Sequence, residues 1–204
     1  MKDNIGLRAV VVTLFAFAVA SLGDRWVFDN VVNPTVYDHD WGRLLRVMGF
    51  GGTWIAIAAA VGLHEGRDPT HRPLARRRAW LLFWAPALGG SVADLLKIVI
   101  RRERPMLNDG AYGFRPWDER TWSGGGLALP SSHSAVAFAG AAMLARYYPR
   151  ARWVGYTLAA GCAATRLLSR AHFLSDVVLA AGIGWLAAYL LAQRWPPESV
   201  GQPP

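Results

Sequence analysis

The chain is poor in the residues that staple a fold or hold a metal. Its 204 residues include one cysteine, Cys162. A lone thiol allows no intramolecular disulfide and fits no Cys-based metal pattern. Cys162 lies in an apolar run and reads as a packing residue. Negative charge is also scarce: 14 Asp and Glu stand against 22 Lys and Arg, a net charge of +8. A basic chain is compatible with nucleic acid, but here the arginines gather in loops between apolar runs. That distribution suits membrane topology and argues against a nucleic-acid face. No internal repeat or low-complexity tract occurs, which excludes solenoids and arrays.

What the chain has is apolar sequence in blocks. The apolar fraction, 53%, is only slightly above that of soluble proteins, so its distribution matters more than its amount. Runs of roughly membrane length occupy 7–22, 49–63, 79–100, 131–147, 153–168 and 175–191. They predict an all-α fold, a six-transmembrane-helix bundle with a periplasmic or other extracytoplasmic loop region, as one domain over 1–204. The motif-bearing core covers about 90–180. The first run ends in Ala18-Val19-Ala20, which resembles a signal-peptide cleavage site, but further spans follow and it reads as an uncleaved helix. Residues 41–48 read as an amphipathic interfacial helix. Pro86 and Gly89-Gly90 are expected to kink the third span. The basic segment 64–78 and the segment 101–129 read as loops, and the Pro-rich tail 194–204 as disordered.

The positive-inside rule places both termini, 64–78 and 146–152 on the cytoplasmic side. The opposite side carries Lys97, Arg101, Arg102, Arg104, Arg166 and Arg170, against the rule. Charges that defy topology have another use. Three stretches on that side combine them with chemistry-bearing groups: Lys97-x6-Arg104-Pro105, Pro130-Ser131-Ser132-His133, and Thr165-Arg166-x5-His172-x3-Asp176.

His172 and Asp176 are four apart, on one face if helical. A carboxylate at one imidazole nitrogen makes the other a better nucleophile. Arg166 offers a planar fork for phosphate oxygens. Pro-Ser-Ser before an apolar run reads as a helix start, whose free N–H groups and dipole favour an anion. His133 in its first turn is placed to protonate a leaving oxygen. Lys97 and Arg104 converge on one anion if the helix ends near Pro105. Each stretch alone also has a plainer use: an interfacial His–Asp cap, an ordinary helix cap, or snorkelling cations. Together they concentrate three cations at one membrane face, where a charge within a span costs roughly 2.5–3.5 kcal/mol. Asp94, Glu103, Asp109, Asp118 and Glu119 can neutralise some of them; a bound phosphate would do so better.

The three stretches, in this order and spacing, resemble the signature of the type 2 phosphatidic acid phosphatase superfamily, in its membrane lipid phosphatase branch. The resemblance implies that His172 attacks phosphorus and forms a phosphohistidine, that Asp176 orients it, and that His133 protonates the leaving alcohol and then activates water. It implies that Lys97, Arg104, Arg166, Ser131 and the backbone N–H of Ser132 hold the phosphoryl oxygens, with no cofactor and no metal. Two positions depart from the family pattern: Ser132 replaces a usual glycine, and Thr165 a usual serine. Ser169-Arg170 imitates the Ser-Arg pair but lies too close to His172.

The implied function is metal-independent hydrolysis of a lipid phosphate monoester or diphosphate, such as phosphatidylglycerol phosphate, phosphatidic acid or undecaprenyl diphosphate. The setting would be a bacterial inner membrane, with the site at the extracytoplasmic face. A vanadate-dependent haloperoxidase-like enzyme and a non-enzymatic lipid-phosphate binder or transporter are the alternatives. Arg101, Arg102 and Arg115 are expected either as rim charges or on a second phosphate or headgroup. Trp117 and Trp122 belong to an interfacial belt or line the substrate entrance.

Overall fold

Close approach of helix backbones shapes this fold, because so many core positions carry only Ala, Gly or Ser. The computed structural model describes residues 4–195, which form seven α-helices and no strand. These are α1 (Ile5–Asn30), α2 (Asp40–Val47), α3 (Gly51–Glu65), α4 (Arg72–Ile100), α5 (Ser132–Tyr147), α6 (Arg152–Leu168) and α7 (Leu174–Arg194). The all-α expectation holds. The Ala-rich α5 is the central helix, packed on α4, α6 and α7; α1 lies against α7, α3 against α4, and α2 against α6. Ala135, Ala180 and Ala93 form one buried cluster where α4, α5 and α7 meet.

The six apolar runs all fold as helices, yet fewer meet the requirements of a full crossing. By length and composition α1, α4 and α7 can cross a bilayer, and α2 with α3 adds a fourth if that pair, bent by 69°, is one broken span. At ~1.5 Å per residue, α5 reaches only about 24 Å, short of a hydrocarbon core of ~30 Å; the same holds for α6, which has 17 residues. The outer helices carry the lipid-facing character. Leu7, Phe15 and Leu22 on α1 are 65%, 72% and 87% exposed, a surface that suits hydrocarbon rather than water.

Several boundaries differ from expectation. The helix α4 begins at Arg72, so residues 72–78 are helical rather than loop. Pro73 suits its first turn, and Arg78 pairs with Glu65 at 3.0 Å, holding that end against α3. It runs through Pro86 and Gly89-Gly90 as one helix. The expected interfacial segment is α2, but it packs against α6 and turns sharply into α3. Arg194 closes α7; residues 196–204, most of the tail expected to be disordered, lie outside the described residues.

The α5–α7 contact is tight because Gly184 has no side chain. A Cβ there would lie 2.3 Å from the Ala135 carbonyl oxygen and 2.8 Å from the Ala139 nitrogen. Gly184→Ala is therefore expected to destabilise the protein by about 1–3 kcal/mol through overpacking. Thermal unfolding in detergent checks this. Gly51→Ala is the control, since a Cβ at Gly51 meets nothing within 4 Å; equal melting of the two variants would contradict the packing account.

Candidate active site

Helix direction brings the three sequence stretches to one end of the bundle. The last turns of α4 and α6 carry Lys97 and Arg166, and α5 and α7 begin beside them with Ser132 and Leu174. Direct bonds join the stretches. The buried Lys97 Nζ donates to Ser132 Oγ at 2.6 Å and lies 3.4 Å from Asp94 Oδ1. Ser132 Oγ in turn donates to Asp94 Oδ1. The Ser131 N–H donates to the Asp176 carbonyl oxygen at 3.2 Å, tying the start of α5 to the start of α7. Ser131 caps α5: its buried hydroxyl accepts from the Ser134 N–H at 3.4 Å and lies 3.0 Å from Ser134 Oγ. The N–H groups of Ser132 and His133 find no acceptor among the described residues, leaving two donors at a helix N-terminus.

His172 sits between α6 and α7, almost fully buried. Its Nδ1 lies 3.5 Å from Asp176 Oδ2, long for a hydrogen bond, but it has no other partner among the described residues. Catalytic bonds are often this loose without substrate. Burial pulls the imidazole down to about 4, against the opposing pull of Asp176. His172 is therefore neutral at pH 7 and protonated only in acid, as a nitrogen nucleophile requires.

Asp176 is held from several sides. Its Oδ2 accepts the Phe173 N–H at 2.7 Å, and its Oδ1 accepts from Arg102 Nη2. Arg102 also donates to Ser175 Oγ at 2.8 Å, and its guanidinium lies over the Tyr112 and Phe173 rings at 4.9 and 5.0 Å. Behind it, the buried Asp24 of α1 accepts from the Ser175 N–H at 2.8 Å, from Ser175 Oγ at 2.5 Å and from Tyr112 OH at 2.7 Å. Burial, then the bond to Asp24, pushes the Tyr112 phenol up to about 12 and keeps it a donor.

On the open side are cations without carboxylate partners. The buried Arg166 donates from Nη1 to Tyr37 OH at 2.7 Å and forms no ion pair among the described residues. Tyr37 OH itself donates a hydrogen bond to the Thr165 carbonyl at 3.1 Å. The half-buried Arg104 makes only a weak 3.5 Å contact to the Leu127 carbonyl. Burial, then the charge of Arg166, pulls its guanidinium below its ordinary value. His133, in the first turn of α5, is backed by Gly49: a Cβ at Gly49 would lie 2.6 Å from His133 Cβ. A groove of about 360 Å³ ends on His133 and is otherwise lined by Arg43, Arg46, Val47 and Phe50. A separate groove of about 590 Å³ runs along the apolar flank of α1 and α7 away from these groups.

The expectation for Arg101, Arg102 and Arg115 is corrected. All three are buried. Arg101 donates to the carbonyls of Arg115, Pro116, Glu119 and Thr121, and Arg115 to those of Ser123 and Gly125. They organise the 101–129 segment, whose own carbonyls lack a regular ladder to satisfy them. Arg102 joins the Asp176 network. Trp117 and Trp122 are exposed, and Trp117 lies over the Arg101 guanidinium. The sequence reading missed Asp24, Tyr37 and Arg46, far along the chain from the motifs, and Tyr112, which lies between the first two motifs without a chemical signature; the isolated Asp24 beyond an apolar run was the one available signal. Arg170 stands apart from this cluster, over the Phe28 ring at 4.3 Å. No group of three or more His, Cys, Asp or Glu among the described residues is placed to hold a metal.

A helical bundle with a lipid-facing exterior, carrying a His–Asp pair opposite unpaired cations at one end, has the character of an integral membrane protein. The chain belongs to the PAP2 superfamily, whose pattern matches residues 78–198. It is similar to a lipid A 1-phosphatase of Rhizobium johnstonii, with 30% identity over 156 residues, covering 70% of this chain and 62% of that one. Its fold matches the crystal structure of a transmembrane PAP2-type phosphatidylglycerolphosphate phosphatase from Bacillus subtilis, with a TM-score of 0.70 and 15% identity, over 98% of this chain and 100% of that one.

Removing one partner of a buried ion pair costs about 3–5 kcal/mol. Arg102→Gln should destabilise the protein by an amount of that order. It should also raise the His172 titration midpoint, because Asp176, freed of Arg102, stabilises the imidazolium instead. NMR titration of labelled histidine checks the second effect, and an unmoved midpoint would reduce Arg102 to a packing role.

Proposed function

We propose that the protein is a membrane lipid phosphatase that hydrolyses a phosphate monoester or diphosphate of a lipid through a phosphohistidine. The observation that carries this reading is the pairing of a buried, neutral His172, backed by Asp176, with cations that the protein itself leaves unneutralised. A dianionic phosphoryl group supplies the missing charge.

In this reading Lys97, Arg104, Arg166 and the N–H groups at the start of α5 hold the non-bridging oxygens. Such preorganised charge is usually the largest catalytic contribution in phosphoryl transfer. His172 Nε2 attacks phosphorus as the bond to the lipid oxygen breaks. His133 gives its proton to that oxygen, and the lipid alcohol leaves, or the lipid monophosphate where the substrate is a diphosphate. Water then attacks the phosphohistidine and His133 takes its proton. The P–N bond breaks, releasing phosphate and neutral His172. Asp176 holds the imidazole orientation throughout, and Arg102 with Asp24 holds Asp176. Ser131 acts mainly by shaping the helix start, since its hydroxyl is turned inward on Ser134. No step calls for a metal.

The membrane setting follows the same reading. The chain crosses six times, as α1, the bent α2–α3 pair, α4, α5, α6 and α7, with the shorter α5 and α6 shielded by their neighbours. Termini face the cytoplasm of a bacterial cell and the site faces outward, in line with the excess of arginine in 64–78.

Purified protein in mixed micelles is expected to release phosphate from at least one of phosphatidylglycerol phosphate, phosphatidic acid and undecaprenyl diphosphate. Release should persist in EDTA and be inhibited by vanadate. His172→Ala should lower kcat by about 1,000-fold or more, as loss of a nucleophile does. Strict Mg2+ dependence, or full activity of the His172→Ala variant, would overturn the reading.

A further inference from the structure

The groove that ends on His133 has a polar and an apolar part. Arg43, Arg46, Val47 and Phe50 line it, and their spacing of i, i+3, i+4 and i+7 puts them on one face of α2 and its exit. Arg43 is already engaged, donating to the carbonyls of Tyr37 at 2.9 Å and Asp38 at 2.6 Å and lying 3.9 Å from Asp40. Arg46 has no hydrogen-bond acceptor and no carboxylate partner among the described residues. What holds it is the Tyr37 ring, 4.8 Å from its guanidinium. The hydroxyl of that same tyrosine accepts from Arg166 at 2.7 Å. One aromatic side chain thus places a phosphate-facing arginine and a free arginine side by side. The charge of Arg46 reaches the site, adding to the effects of burial and Arg166 that depress Arg104.

The orientation of the reaction says what enters this groove. An in-line displacement puts the attacking atom and the leaving oxygen on opposite sides of phosphorus. With His172 as nucleophile, the leaving oxygen lies toward His133, and the rest of the alcohol continues into the groove beyond it. We infer that the Arg43–Phe50 groove is the leaving-group subsite, and that Arg46 binds a second negative charge carried by the leaving alcohol. Val47 and Phe50 cover the adjoining hydrocarbon. This inference rests on the phosphatase reading above and narrows its substrate class. The preferred substrate is a lipid phosphate whose leaving group carries a negative charge. Phosphatidylglycerol phosphate releases anionic phosphatidylglycerol and undecaprenyl diphosphate releases anionic undecaprenyl phosphate, whereas phosphatidic acid releases neutral diacylglycerol.

The test compares wild type with Arg46→Gln and Arg46→Lys, using full-length protein in mixed micelles. The ratio of kcat/KM for phosphatidylglycerol phosphate to that for phosphatidic acid should fall by about 10-fold or more in Arg46→Gln, the scale of one charged hydrogen bond. Arg46→Lys should recover part of the ratio. An unchanged ratio, whether both substrates lose rate equally or neither does, would overturn the subsite. Affinity for two non-hydrolysable phosphonate lipids, one with a second anionic group and one without, is measured on the same proteins. Arg46→Gln should weaken only the preference for the doubly anionic analogue. Loss of all phosphate release in wild type would refute the phosphatase reading, and the phosphonate pair still decides the role of Arg46.

Discussion

The buried carboxylate of Asp176 is the group on which the rest of this structure depends. A charge taken out of water must be compensated several times over, because desolvation costs several kcal/mol per ion. Asp176 meets that requirement with Arg102, the Phe173 N–H and the His172 imidazole. Those partners come from the segment after α4, from the start of α7, and from the loop between α6 and α7. The backbone carbonyl of the same residue anchors the start of α5. Asp24 of α1 closes the arrangement from behind through Ser175 and Tyr112. A single electrostatic demand thus draws distant parts of the chain to one end of the bundle.

The opposite imbalance characterises the open side of the same site. Arg104 and Arg166 repel one another, and Lys97 has only the solvent-exposed Asp94 and the Ser132 hydroxyl. Stability alone would favour a carboxylate between them. In the proposed reading a phosphoryl group takes that place, and the well-compensated Asp176 network lies beside it. The small-residue packing of α4, α5 and α7 serves the same end, since it fixes the helix termini that carry these groups.

Much of this was legible in the sequence. Apolar runs gave the helices nearly in place, because a membrane helix needs a long apolar stretch. The motif spacings named Lys97, His133, Arg166, His172 and Asp176, and the structure brings them together. What stayed hidden were partners fixed by tertiary contact alone. Arg102 looked like one of several surface arginines, and only folding shows it beneath two aromatic rings. Asp24 and Tyr37 sit far from the motifs along the chain, and periodicity carries no information about which distant group a side chain will meet. The helical state of 72–78 was masked by its charge, which reads as loop until Glu65 is seen to pair with Arg78.

Covalent catalysis at His172 is the central claim, and trapping the intermediate tests it most directly. Protein mixed with a short-chain lipid phosphate carrying labelled phosphorus, quenched in alkali within the first turnover and digested for mass spectrometry, should carry the label on His172. Label on another residue, or rapid phosphate release with no protein-bound label at any quench time, would contradict the account.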